Sequence, residues 1–355
     1  MTNHNIPALS LAITKDDRLV HASAHGYADI AQKVLVTTAH RFRQASVSKT
    51  ITAFAILYLT QQGQLNLSST VFGENGLLAS TPISRPLAPW TQNITVRHLL
   101  DHSSGFIDDE MCGIDCDPTY LPQWLHLDQW DLVTTILEAY DPGHAPGSVA
   151  SYSNFGYFVL GRIVEVASGV MPYAAYVTEI LDTLLGITAI EGATDEIKAA
   201  EVMYYHDGDD GAPYAFAVER RDSVGAWIAR PVDLVMLLTG IDGLSGRGRR
   251  SNVLDVETRN SMFEQSAVPG SGFGLGWDEV VYTDEGNVAR VSKNGGYAGT
   301  HSWVSIDFER NVSYAVAVNK DIPKVAGGAK ALKELIDGLV AKVDEWPEHD
   351  LFDSR

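Results

Sequence analysis

Apolar positions follow two different periods along the chain, and the change of period divides it into three parts. Residues 8–14 (Ala-Leu-Ser-Leu-Ala-Ile-Thr) and 18–25 (Arg-Leu-Val-His-Ala-Ser-Ala-His) flank Lys15-Asp16-Asp17, which predicts an antiparallel hairpin with a short polar turn. From 46 to about 62 the period becomes helical. Ile51, Phe54, Ala55, Leu57 and Tyr58 recur at helix spacing, no proline interrupts them, and Gly63 sits where a C-cap is expected. The pattern between 65 and 240 predicts mostly helices and long loops. Helices are expected over 95–100, 129–140 with Asp128 as its cap, 157–168 ended by Gly169, 173–185, and 231–239 opened by Pro231. The strand period then returns at 273–281, 288–292, 302–308 and 312–318, with Glu309-Arg310-Asn311 as a turn, before a closing helix over 329–343.

Strands at both ends with helices between them imply one antiparallel sheet whose halves are far apart in sequence. The predicted division is a discontinuous α/β sheet domain, 1–45 and 265–355, and a mainly helical domain, 46–264. At 355 residues, 45% hydrophobic and 20% charged, the chain is long enough for a large core or two subdomains. No run of about 20 apolar residues predicts a membrane span. The formal charge of −19 argues against nucleic acid or an anionic membrane surface as partner. The first residues show no signal peptide, so the expectation is a cytoplasmic protein, or an exported one if a targeting segment has been removed. Cys112 and Cys116, as Cys-Gly-Ile-Asp-Cys, make a poor zinc site and leave a local disulfide or two free thiols open.

Three motifs carry candidate chemistry. The first is Ser46-Val47-Ser48-Lys49 at the start of the 46–62 helix. Unpaired N–H groups and the positive dipole end favour developing negative charge there. Lys49 projects from the same face as the Ser46 hydroxyl and becomes a base if desolvation or a nearby cation lowers its pKa. Roughly one Ser-x-x-Lys arises by chance in a chain of this length, and a capping serine with a solvated lysine gives the same letters. The second is Tyr152-Ser153-Asn154, in a Gly/Ser-rich turn expected ahead of the helix at Tyr157. Its tyrosine is placed to relay a proton, and Asn154 to hold Lys49 and a substrate carbonyl. The third is Lys293-Asn294-Gly295-Gly296, expected at the end of a strand. Its glycines admit substrate backbone, an exposed N–H serves as an oxyanion donor, and Lys293 helps keep Lys49 or Tyr152 deprotonated.

In this order the motifs make the chain resemble the penicillin-recognising serine hydrolases of the β-lactamase fold. The resemblance is to the branch holding class C β-lactamases, D-Ala-D-Ala carboxypeptidases and β-lactamase-like esterases. Ser46 to Lys49 match Ser-x-x-Lys, Tyr152 to Asn154 match Tyr-x-Asn, and Lys293 to Gly295 match Lys-Thr-Gly or His-x-Gly. Spacers Leu99 to Gly105, Leu185 to Thr188 and Gly274 to Trp277 match as well, so nearly the whole chain is covered.

The resemblance implies an α/β fold: an antiparallel sheet flanked by helices, an inserted helical domain and an active site at their junction. It implies Ser46 as nucleophile, Lys49 and Tyr152 as the acid/base pair, and an oxyanion hole from the N–H groups of Ser46 and Gly296. Asn154, Lys293, Asn294 and Gly295 would bind substrate, with no cofactor and no metal. Asn294 replaces the family's usual Thr or Ser, which often helps bind a substrate carboxylate. The expected function is therefore cleavage of a small-molecule ester or amide through an acyl-serine, most like a carboxylesterase. The alternatives are a D-Ala-D-Ala peptidase or β-lactamase, an acyltransferase using the same nucleophile, and an inactive binding protein. The oligomeric state stays open. His98 and His102 have metal-ligand spacing but lack an evident third ligand, and Asp207 to Gly211 lacks the closing glutamate of a calcium loop. Trp90, Trp124, Trp130, Trp227 and the tyrosines around Tyr120 fit either an acyl pocket or a core.

Overall fold

Asp16 and Asp17 both adopt positive φ, 47° and 62°, which is the backbone of a two-residue hairpin turn of the primed type. They join β1 (Ala8–Lys15) to β2 (Arg18–Asp29), and Lys15 pairs with Arg18 across the turn. The short strands β3 (Val34–Leu35) and β4 (Phe42–Arg43) follow, and then α1 (Ser48–Gln61). The computed structural model describes residues 5–113, 117, 119, 121–208, 211–215, 217–243, 252–322 and 328–354. Cys116, Tyr120, Asp209 and Asp210, and with them the Cys112–Cys116 pairing and part of the candidate calcium loop, lie outside the described residues.

The middle of the chain is helical, as expected: α2 (Val96–Leu100), α3 (Asp108–Cys112), α4 (Gln129–Ala139), α5 (Asn154–Ser168) and α6 (Tyr173–Leu185). Two departures from the expected pattern lie here. Helix α5 begins at Asn154, with the Ser153 hydroxyl accepting the Gly156 N–H as its cap, so Tyr-x-Asn straddles a helix start instead of a free turn. The region also contains β5 (Glu191–Gly192) and β6 (Trp227–Ala229), which pair with β4 in a second sheet of order β4-β6-β5. Runs of two or three residues give no readable strand period.

After β6 come α7 (Pro231–Thr239), α8 (Val256–Phe263), β7 (Glu279–Tyr282), β8 (Val288–Tyr297), β9 (Thr300–Asp307), β10 (Val312–Val318) and α9 (Gly328–Val340). The main sheet has the order β3-β2-β1-β10-β9-β8-β7, and every neighbouring pair is antiparallel. Two segments read differently from the expectation. Residues 273–278 precede β7 as a turn, and β8 runs through the Gly-rich motif to Tyr297 instead of stopping before it.

Strand β10 is buried at all seven positions because helices cover both faces of the sheet. Tyr314, Val316 and Val318 pack with Leu332, Ile336 and Val340 of α9, joined by the half-buried Leu9, Leu11 and Ile13 of β1. The opposite face of β1 carries Ala8, Ser10 and Ala12, and these small residues let α7 approach. The largest apolar cluster lies on that same side. It unites α1, α5 and α6 with Val291, Val304, Ile306 and Ala315 of the sheet.

Candidate active site

Ser46 stands where strand β4 turns into α1. Ala45, completely buried, has φ +44°, a left-handed conformation that turns the chain sharply into a short 3-10 turn over Ala45–Val47. The segment is anchored on both sides. The Gln44 N–H donates to Trp227 O at 2.8 Å, and Thr300 and Ser302 of β9 donate their hydroxyls to Arg43 O and Gln44 O at 2.8 and 2.6 Å. On α1, Thr50 Oγ1 donates to Gly276 O at 2.8 Å. Gly276, with φ +90°, lies so close to α1 that a Cβ there would come 2.6 Å from that of Ala53. The Gly274–Trp277 spacer is thus a contact requirement of the helix that carries the site.

The first two motifs meet at the Ser46 hydroxyl. Lys49 Nζ lies 3.1 Å from Ser46 Oγ, 2.9 Å from Asn154 Oδ1 and 3.1 Å from Val224 O. Tyr152 donates its hydroxyl to Ser46 Oγ at 2.6 Å. Lys49 is completely buried, and its pKa is held well below the usual lysine value. The first cause is desolvation, followed by the positive charges of Lys293 and Arg221. Tyr152 moves the other way, pushed up by burial and then by the negative charge of Asp278. Of the two groups that Lys293 was expected to help keep deprotonated, the shift runs that way for Lys49 and the opposite way for Tyr152. Lys293 acts on Lys49, while Tyr152 keeps its proton.

The third motif lies alongside. Glycine at 295 is a packing requirement, since a Cβ there would overlap Gln44 O and stand 2.8 Å from Ser46 N. Lys293 Nζ is paired with Asp278 and sits 4.8 Å from the centre of the Tyr152 ring, as does Lys49 Nζ on its own side. Asn294 donates its backbone N–H to Asp278 Oδ2 at 3.0 Å and its side-chain amide to the same oxygen. Gly296 pairs with His301 across β8 and β9.

Several supports gave no sequence signal. Asp108 accepts the Ser153 hydroxyl at 2.9 Å and the Asn154 N–H at 2.6 Å, fixing the start of α5. Burial, with Asp117 nearby, pushes the Asp108 carboxyl up to about 7. His102 packs its ring 4.6 Å from that of Tyr152 and accepts the Ser153 N–H on Nδ1 at 3.1 Å. His98 Nδ1 caps its own helix by accepting the Thr95 N–H. Both histidines are thus occupied structurally, and no cluster of three metal-ligating side chains occurs among the described residues. Trp227 is core: it is buried, and its indole N–H donates to Tyr173 OH at 3.3 Å.

The loop that offers Val224 O is pinned by buried groups. Arg162 of α5 pairs with Asp222 at 2.5 Å, and Thr52 Oγ1 donates to Ser223 O at 2.7 Å. Arg41 and Lys198 both pair with Glu191 in a separate ion-pair network.

A helix-flanked antiparallel sheet with Ser46, Lys49 and Tyr152 in mutual contact places the chain in the serine β-lactamase and penicillin-binding-protein class of folds. The chain belongs to the Beta-lactamase family, whose family model matches residues 1–337. Penicillin-binding protein 4* of Bacillus subtilis (strain 168) is 25% identical over 370 residues, covering 97% of this chain and 75% of that protein. The D-amino acid amidase of Ochrobactrum anthropi SV3 superposes with a TM-score of 0.72 at 22% identity, covering 96% of this chain and 95% of that one. EstCE1, described as a hydrolase with promiscuous acyltransferase activity, gives 0.70 at 21% identity with 90% of each chain covered. At these identities the superpositions speak for the fold.

Proposed function

We propose that the chain is a serine hydrolase that cleaves a small carboxylic ester, or an activated amide, through an acyl-serine on Ser46. The observation that carries this reading is that Ser46 Oγ lies between the Lys49 amine, whose pKa burial holds well below its ordinary value, and the Tyr152 hydroxyl. A neutral Lys49 has two N–H groups and one lone pair. Asn154 Oδ1 and Val224 O can only accept, so they take the two N–H groups and the lone pair faces Ser46 Oγ at 3.1 Å. Tyr152 donates to the same oxygen. The serine proton therefore points at the amine.

The steps follow from that arrangement. Ser46 Oγ attacks the substrate carbonyl carbon as its proton passes to Lys49 Nζ. Negative charge gathers on the carbonyl oxygen, for which the backbone N–H groups of Ser46 and Gly296 are the proposed donors. Tyr152 gives its proton to the leaving alkoxide and is resupplied from Lys49, so the first product departs neutral and Lys49 is neutral again. Water then repeats the cycle on the acyl-enzyme. An alcohol in place of that water would make the same machinery an acyltransferase. The Asp278 carboxylate already seated on Lys293 and Asn294 favours esterase over β-lactamase or D-Ala-D-Ala peptidase.

Intact-protein mass after exposure to a fluorophosphonate and to a p-nitrophenyl ester tests the reading. One adduct per chain is expected with wild type and none with Ser46→Ala. Absence of any adduct on wild type would leave a binding protein on this fold. Tyr152→Phe keeps the ring against His102 and removes only the proton donor, so turnover of the ester should fall at least about 100-fold with little change in thermal stability. Near-normal turnover would take Tyr152 out of the mechanism.

A further inference from the structure

The donors at the start of the third motif form a carboxylate-binding site, and the chain fills it with its own side chain. One cation, Lys293 Nζ, and two N–H donors of Asn294, from its backbone and its side-chain amide, converge on the two oxygens of Asp278. A charge and a pair of directed N–H groups are what a bound carboxylate needs. The group lies beside the nucleophile, because Gly295, the next residue of β8, abuts Ser46 N. It is also closed. The Lys293 side chain is 1% exposed while that of Asp278 is 18% exposed, so the cleft meets the carboxylate and not the ammonium.

Resting on the esterase reading, we infer that Asp278 is a specificity-determining residue: an internal carboxylate that occupies the anion subsite and selects substrates without a carboxylate next to the scissile bond. A carboxylated substrate would have to displace Asp278 from a buried lysine, or stand beside it as a second negative charge. Both are unfavourable in a poorly hydrated cleft. A neutral ester meets neither obstacle. The inference also explains how an asparagine is accommodated where the resemblance expects threonine or serine. The Asn294 amide donates an N–H to Asp278.

The test uses two esters differing only in that charge, 3-carboxyphenyl hexanoate and its methyl ester, 3-(methoxycarbonyl)phenyl hexanoate. They are assayed with wild type, Asp278→Ala and Asp278→Asn. Wild type should favour the neutral ester by at least about 10-fold in kcat/KM, and Asp278→Ala should shift the ratio toward the carboxylated ester by at least about 10-fold. Asp278→Asn keeps the shape without the charge and should move the ratio in the same direction by less. A second readout does not depend on turnover. Sodium acetate should raise the unfolding temperature of Asp278→Ala relative to sodium chloride at equal ionic strength, and leave wild type unmoved, because only the variant has an open site. If the neutral ester still acylates Ser46 while the ratio and the acetate response match wild type in both variants, the inference is overturned and the hydrolase reading stands. If no ester acylates Ser46 in wild type, the hydrolase reading fails. The acetate response then decides alone whether Asp278 fills an anion site.

Discussion

Lys49→Met should lower the rate of Ser46 acylation by about 1,000-fold or more while the fold persists. The size of the loss follows from what the amine alone provides. Tyr152 is protonated and donates to Ser46, and the nearest imidazole, His102, is held well below the usual histidine value by burial and spends Nδ1 on the Ser153 N–H. Neither takes up the serine proton in place of Lys49, so the general-base contribution of about 100- to 10,000-fold is lost. Methionine fills a similar volume, which keeps the packing among Tyr152, Tyr157 and α1.

The same group sets the pH dependence. Neutral Lys49 is the active form, so acylation falls as pH drops through its lowered pKa and stays high above it. Lys293 is the largest charge holding that pKa down, after desolvation. Lys293→Gln should therefore move the acid limb of kcat/KM to higher pH, and Asp278, left without its cation, pushes the same way. A limb that stays put or moves to lower pH would show that it belongs to another group. Stability responds with a matching sign. Between the folded value and the ordinary 10.5 the unfolded chain binds the Lys49 proton and the folded chain does not. Stability of wild type relative to Lys49→Met should thus rise with pH across that window.

The sequence carried some of these relations and was silent on others, for physical reasons. The hairpin of β1 and β2 was legible because alternation and a two-residue polar turn are local. So were α1, α6 and α7, whose apolar spacing and terminal glycine or proline are read within one segment. Ser46, Lys49 and Tyr152 were legible as motifs because each contains its own spacing. What was hidden is what the fold brings from a distance. Asp278 meets Lys293 across 15 positions, Asp108 meets Asn154 across 46, and Val224 O meets Lys49 across 175. A backbone carbonyl has no letter of its own, and a carboxylate gains meaning only from what faces it. The start of α5 was missed for a related reason. Its cap is Ser153, but the first strongly apolar helical spacing appears further along, so the helix was expected at Tyr157.

Gly295→Ala should cost about 100-fold or more in activity. Residue 295 does not need a left-handed backbone, since its φ is not positive, so alanine is conformationally allowed there. The obstacle is contact. The new Cβ would overlap Gln44 O and lie 2.8 Å from both Ser46 N and Ser302 Oγ. Two of these are backbone atoms, and the third is the hydroxyl that ties β9 to Gln44, so no rotamer change relieves the overlap. Strand β8 and the Ser46 turn must move apart, at an overpacking cost of about 1–3 kcal/mol. That displacement separates the Ser46 N–H from the proposed second donor on Gly296, and misplacement by even about 1 Å is enough for a 100-fold loss. Gly338 of α9 supplies the contrast. It is exposed, its added Cβ would meet nothing within 4 Å, and it sits inside a helix. Gly338→Ala should leave turnover unchanged and stabilise the fold by about 0.5–1 kcal/mol. Thermal unfolding and kcat/KM on the neutral ester, measured for both variants, separate the two cases. If Gly295→Ala were as active and as stable as Gly338→Ala, β8 would not lie against the nucleophile, and the oxyanion hole proposed between them would have to be sought elsewhere.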